Sequence, residues 1–69
     1  MRLSIRNQFR GTVQSVTKGA AMAVVKVQLD GGQEITSSIT AEAADELGLT
    51  EGSKVTVLVK STEVALAVE

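Results

Sequence analysis

The sequence predicts a mainly β domain: a five-stranded OB-like Greek-key barrel with one short helix, assembled as an oligomer. Three observations carry this reading. The chain has no Pro and is rich in β-branched residues, and its short apolar runs alternate with polar ones, as strands packed on one face do. Turn signals built on Gly separate those runs. The chain is also only 69 residues long, without Cys or His, so neither disulfides nor the usual zinc ligands can reinforce a small core. Sharing apolar surface between subunits is the reinforcement left.

The elements follow in order along a single domain spanning residues 1–69. Segment 10–17 alternates in part around Val13, and Asn7 before it reads as a turn or edge residue. Lys18-Gly19 is a tight connection. Segment 20–29 puts Ala21, Ala23, Val25, Val27 and Leu29 on one face, with Met22, Val24, Lys26 and Gln28 on the other. It is apolar on both faces near its start, which implies burial on both sides, the second by a partner subunit. Asp30-Gly31-Gly32 is a hairpin signal, because Gly tolerates positive φ. Segment 33–39 aligns Ile35, Ser37 and Ile39.

Thr40 is then a good N-cap for a helix over 41–47, and Gly48 stands where a C′ glycine ends it. Glu42, Asp45 and Glu46 make that helix acidic. Glu51-Gly52-Ser53 is a turn, and segment 54–60 alternates Val55, Val57 and Val59 against Lys54, Thr56 and Lys60. Ser61-Thr62-Glu63 breaks the pattern, and Val64, Leu66 and Val68 form the fifth strand. The order β-β-β-α-β-β is that of a small Greek-key barrel.

Seven basic and eight acidic residues give a net charge of −1, which is not the footprint of a nucleic-acid binder. Aromatic content is 1%, the single Phe9, so an OB-type groove would have almost nothing on which to stack bases. A weaker nucleic-acid reading comes from Thr40 to Val59, whose Leu-Gly-Leu, Glu-Gly and Val-Thr-Val run resembles the swapped-hairpin domains of transition-state regulators. No apolar run approaches the ~20 residues needed to cross a bilayer, and the start lacks the apolar core of a signal peptide. The expectation is a cytoplasmic protein with no membrane or nucleic-acid partner.

Catalysis is poorly supported. There is no His for acid–base work, the carboxylates are scattered, and Lys60 is the only base local to a hydroxyl, at Ser61. On a strand those neighbours would point to opposite faces. An oxyanion site fits better. Ser4, Arg6, Thr40, Lys60 and Ser61 supply hydroxyls and fixed cations, and an acceptor-only tetrahedral dianion must be met by donors. Thr40 at a helix start would add free amides and the positive dipole end. Taken singly, each residue is as well explained by a cap, a turn or a solvated charge.

Together they are more specific. Leu3-Ser4-Ile5-Arg6-Asn7-Gln8-Phe9-Arg10-Gly11, Ile39-Thr40-Ala41-Glu42, Glu46-Leu47-Gly48-Leu49 and Val59-Lys60-Ser61-Thr62-Glu63-Val64 closely resemble the small molybdate-binding proteins called molbindins. The same module occurs in molybdate-responsive regulators and transporter ATPases. The resemblance implies an OB-like barrel in a hexamer, a trimer of dimers, with molybdate or tungstate bound at subunit interfaces and no other cofactor. It implies ligands from Ser4, Arg6, Thr40, Lys60 and Ser61, with the Ile5 backbone as a possible addition, and no metal held directly by protein side chains. Ala43 stands where some relatives carry a hydroxyl, so a backbone amide or nothing must replace that donor. A second class of site is implied near symmetry axes, for which the Lys18-Gly19-Ala20 turn, with free amides and one cation, is the candidate. The function implied is storage, buffering or homeostasis of the oxyanion without catalysis. A purely structural oligomerising domain is the remaining alternative.

Overall fold

In a computed structural model describing residues 1–69, one long strand organises the sheet. Strand β1 (Asn7–Lys18) has 12 residues and serves two partners. Its first half pairs antiparallel with β4 (Lys54–Val59), from Asn7↔Val59 to Thr12↔Lys54. Its second half pairs antiparallel with β2 (Met22–Leu29), from Gly11↔Leu29 to Lys18↔Ala23. Strand β3 (Glu34–Thr40) completes a 4-stranded sheet of order β3-β2-β1-β4.

The register shifts between Val13 and Ser15, leaving Gln14 as the extra residue of a bulge. A bulge bends its strand and increases the local twist, so β1 can face β2 on one side and β4 on the other while the sheet curls. Gly11 sits where the two ladders overlap. A Cβ there would lie 2.7 Å from Val27 Cγ1 and 2.8 Å from the Gln28 carbonyl oxygen, so the close approach of β1 to β2 requires glycine.

Alternation fixes which residues face inward. Ala23, Val25 and Val27 are buried, whereas Met22 and Val24 on the opposite face are 46% and 39% exposed. Val13, Val25 and Val27 form the centre of the core, with Val16, Leu29, Ile35, Ile39, Leu49, Val55 and Val57 packed around them. Only 6 of 69 residues are fully buried, a thin core for an independent chain.

The turns and the helix form as their sequence signals predict. The Gly19 N–H donates to the Met22 carbonyl at 2.7 Å, and the Leu29 N–H to the Gln33 carbonyl at 2.7 Å across the Asp30 turn. Strand β2 begins at Met22, not at residue 20, because the turn consumes Gly19 to Ala21. Helix α1 (Ala41–Glu46) is capped by Thr40, whose Oγ1 accepts the Ala43 N–H at 3.0 Å. It ends where Gly48 takes φ +62, with the Gly48 N–H donating to the Asp45 carbonyl. Ala44 is buried, and the Ala41 N–H donates to the Ala21 carbonyl at 2.8 Å, which docks the helix beside the start of β2.

The expected fifth strand does not form within the chain. After β4, a 3-10 turn (Ser61–Glu63) redirects the backbone, with Glu63 N–H donating to the Lys60 carbonyl and Val64 N–H to that of Ser61. Residues 64–69 pair with no strand, and Leu66 and Val68 are 93% and 98% exposed. Alternation gives a segment the potential to be a strand, but a strand also needs an edge to pair with, and residues 64–69 take neither of the two in their own sheet. The edges of β3 and β4 therefore stay open, and the sheet is curled without closing. Between them lies an apolar cleft of about 220 Å³, lined by Val25, Val27, Ile39, Leu47, Leu49 and Val57 among others.

Candidate functional site

The Asn7↔Val59 pair is the terminal rung of the β1–β4 ladder, so the residues just before β1 and just after β4 emerge side by side. Two side chains hold this end in place. Asn7 Nδ2 donates to the Val59 carbonyl at 3.1 Å, and Gln8 Nε2 donates to the Ile5 carbonyl at 2.8 Å. Asn7, expected at a turn or an edge, is the first residue of the strand.

Beyond this rung, Ser4, Ile5, Arg6, Lys60, Ser61 and Thr62 line an open cleft of about 180 Å³. The segments separated by most of the sequence thus meet within one chain. The lining offers three hydroxyls, a guanidinium, an ammonium and no carboxylate. Neither cation is spent on an ion pair, since the chain's pairs are Lys18–Asp45 and Lys26–Glu34. Arg6 brings a planar fork suited to two oxygens, and Lys60 a point charge.

Lys60 and Ser61 face the same cleft, although strand neighbours would point apart. Lys60 lies outside β4, where it caps the 3-10 turn with φ −63 and ψ 139, so strand alternation no longer applies and Lys60, Ser61 and Thr62 all line the cleft. Thr62 is the lining residue missing from the expected ligand set. Its signal is present in the unbroken Lys-Ser-Thr run, but only the turn shows that a third consecutive residue lines the cleft.

Thr40 is not brought to this cleft. It pairs with Met22, next to Ala23, which pairs with Lys18. That is the far end of β1 from Asn7, a path of roughly 36–40 Å along a strand of this length. The helix start also has fewer free amides than the sequence suggests. The Ala43 N–H, a backbone amide at the position that lacks the hydroxyl, goes to Thr40 Oγ1, and the Ala41 N–H goes to the Ala21 carbonyl. Thr40 keeps its own O–H as a donor.

The Lys18-Gly19-Ala20 turn differs from its expected form as an anion site. Lys18 Nζ is paired with the Asp45 carboxylate, and the Gly19 N–H is taken by the Met22 carbonyl. No group of three or more His, Cys, Asp or Glu side chains is placed to hold a metal ion, and no helix is long and apolar enough to cross a membrane.

Comparison with known proteins identifies the family and the fold. The TOBE domain family matches residues 3–66. The chain is 42% identical over 66 residues to "Molybdenum-pterin-binding protein 2" of Clostridium pasteurianum, covering 96% of this chain and 97% of that protein. Its fold superposes on MopII from Clostridium pasteurianum with a TM-score of 0.91 and 40% identity, over 97% of this chain and 100% of that one. It superposes on the molybdate-bound form of the cytoplasmic molybdate-binding protein ModG with a TM-score of 0.95 and 45% identity, covering all of this chain and 49% of ModG. The curled antiparallel sheet is thus the OB-like fold of MopII, and the chain belongs to the TOBE domain family, among the small molybdenum-pterin-binding proteins known as molbindins.

Proposed function

We propose that this protein binds molybdate or tungstate, without catalysing a reaction, and serves to store or buffer the oxyanion in the cytoplasm. The observation that carries this reading is the carboxylate-free cleft in which Arg6 and Lys60 stand unpaired beside Ser4, Ser61 and Thr62. Molybdate and tungstate present acceptors only, and this lining presents donors. The named activities of the relatives, molybdenum-pterin binding and molybdate binding, support it.

The site is completed between copies of the chain. Thr40 and the Arg6–Lys60 cleft lie at opposite ends of β1, so the two can share a ligand only if they come from different subunits. Assembly also answers the thin core. The apolar cleft between β3 and β4 is open, and the alternating Val64, Leu66 and Val68 tail is unpaired. The tail of one copy therefore fits as the missing strand of another, and a hexamer arranged as a trimer of dimers satisfies both requirements.

Calorimetric titration of the purified oligomer with molybdate, tungstate and sulfate tests the reading. Saturable heat with the first two and little with sulfate is expected. A stable oligomer that gives no heat with any oxyanion would reduce it to a structural assembly domain.

A further inference from the structure

The chain carries seven cations, of which Lys18 and Lys26 are ion-paired. Apart from Arg2, the others stand in two pairs. Arg6 and Lys60 line the cleft beyond the terminal β1–β4 rung, and Arg10 and Lys54 line a second cleft of about 510 Å³ at the other end of the same ladder.

The ladder itself positions the second pair. Arg10 stands opposite Thr56, and Lys54 stands opposite Thr12. Arg10 and Thr12 share a face because they are two apart on one strand, so Arg10 and Lys54 are diagonal neighbours, roughly 7–8 Å apart by ordinary sheet geometry. Lys54 is held in place by donating to Thr12 Oγ1 at 2.9 Å. Neither cation has a carboxylate within ion-pair distance, although Asp30 lines the same cleft with Thr56. The Asp30 backbone is fixed by its N–H, which donates to the Arg10 carbonyl at 2.9 Å.

This lining differs from that of the first cleft in one respect that sets ligand class. It pairs two unspent cations and a hydroxyl with a single carboxylate, which can only accept. A fully deprotonated oxyanion would meet that carboxylate as a repulsive neighbour. An oxyanion that keeps a proton can donate to it while its other oxygens accept from Arg10, Lys54 and Thr56. Inorganic phosphate near neutral pH always keeps at least one P–OH, whereas sulfate, molybdate and tungstate keep none. We propose that the Arg10–Lys54–Thr56 cleft, with Asp30 as acceptor, is a second anion site selective for inorganic phosphate. It shares no lining residue with the first cleft and does not rest on molybdate binding there.

Backbone amide NMR titration of the assembled protein with phosphate, and separately with sulfate and molybdate, tests it. Phosphate is expected to give saturable shifts at Arg10, Gly11, Asp30 and Thr56 that persist in Lys60→Ala, while sulfate moves them at least tenfold less effectively. Arg10→Gln and Lys54→Gln should each weaken the phosphate response at least tenfold. Asp30→Asn, tolerated at a turn, should bring phosphate and sulfate close to equal. Phosphate shifts that are absent, that do not saturate, or that sulfate matches in the unaltered protein would overturn the proposal. Survival of the phosphate response in Arg10→Gln would overturn it too. Absence of molybdate shifts at residues 4–6 and 60–62 in the unaltered protein would count against the first site alone.

Discussion

The side-chain amide of Asn7 donates to the main-chain carbonyl of Val59 at 3.1 Å, across the last rung of the β1–β4 ladder. The contact pins the point at which β1 and β4 leave the sheet. Everything that lines the donor cleft hangs from this rung, although Asn7 itself does not line it.

Asn7→Ala should therefore act at two levels. Loss of one partly buried hydrogen bond is expected to cost about 0.5–1.5 kcal/mol of stability, read from denaturant unfolding. Molybdate affinity should fall as well, because Arg6 and Lys60 lose their fixed separation. Unchanged affinity in a destabilised variant would show that the cleft is held by other contacts.

Arg6→Ala and Lys60→Ala each remove one charge-assisted partner of the oxyanion. Each should weaken molybdate binding by about 1.5–3 kcal/mol while leaving the oligomer intact. Arg6→Lys should restore only part of the loss, since an ammonium cannot reproduce the planar fork. Calorimetry beside light scattering separates lost binding from lost assembly.

Complementation tests the shared site. Thr40→Val and Lys60→Ala copies should each bind molybdate poorly alone. Mixed oligomers of the two should recover roughly a quarter of the sites if Thr40 and Lys60 come from different copies and mixing is random. No recovery would place both residues of each site on one chain. Thr40→Val also removes the N-cap of α1, expected to cost about 1 kcal/mol.

Leu66→Asp tests the role of the tail. Leu66 is 93% exposed on the isolated chain, so the change should leave the monomer fold unaffected. In the assembly it would bury an unpaired carboxylate in an apolar cleft. A shift toward smaller species in sedimentation, with reduced molybdate binding, is the expected result. Full assembly would show that some other surface covers the cleft between β3 and β4.

Gly11→Ala should destabilise the chain by about 1–3 kcal/mol, the usual cost of overpacking. Its new methyl would meet Val27 Cγ1 at 2.7 Å and the Gln28 carbonyl oxygen at 2.8 Å, and the carbonyl cannot move without shifting β2. A thermal midpoint equal to that of the unaltered protein would mean the two strands separate more easily than this contact implies.

Local structure and the chemical inventory are written in the order of the residues. The buried face of β2 follows from the alternation of Ala23, Val25 and Val27, and the limits of α1 from Thr40 and Gly48. These depend on sterics and hydrogen bonds within a few residues, so adjacent positions encode them. The donors Ser4, Arg6, Lys60 and Ser61 were likewise visible as residue types. Which of them meet depends on how distant strands pair. That pairing joined residues 4–6 to 60–62 with Thr62, and it left Thr40 at the far end of β1. It also left the Val64–Val68 segment without a strand partner and placed Arg10 diagonally across from Lys54. Strand pairing between distant segments sets those outcomes, because a strand's periodicity specifies its faces but not the edge it will find.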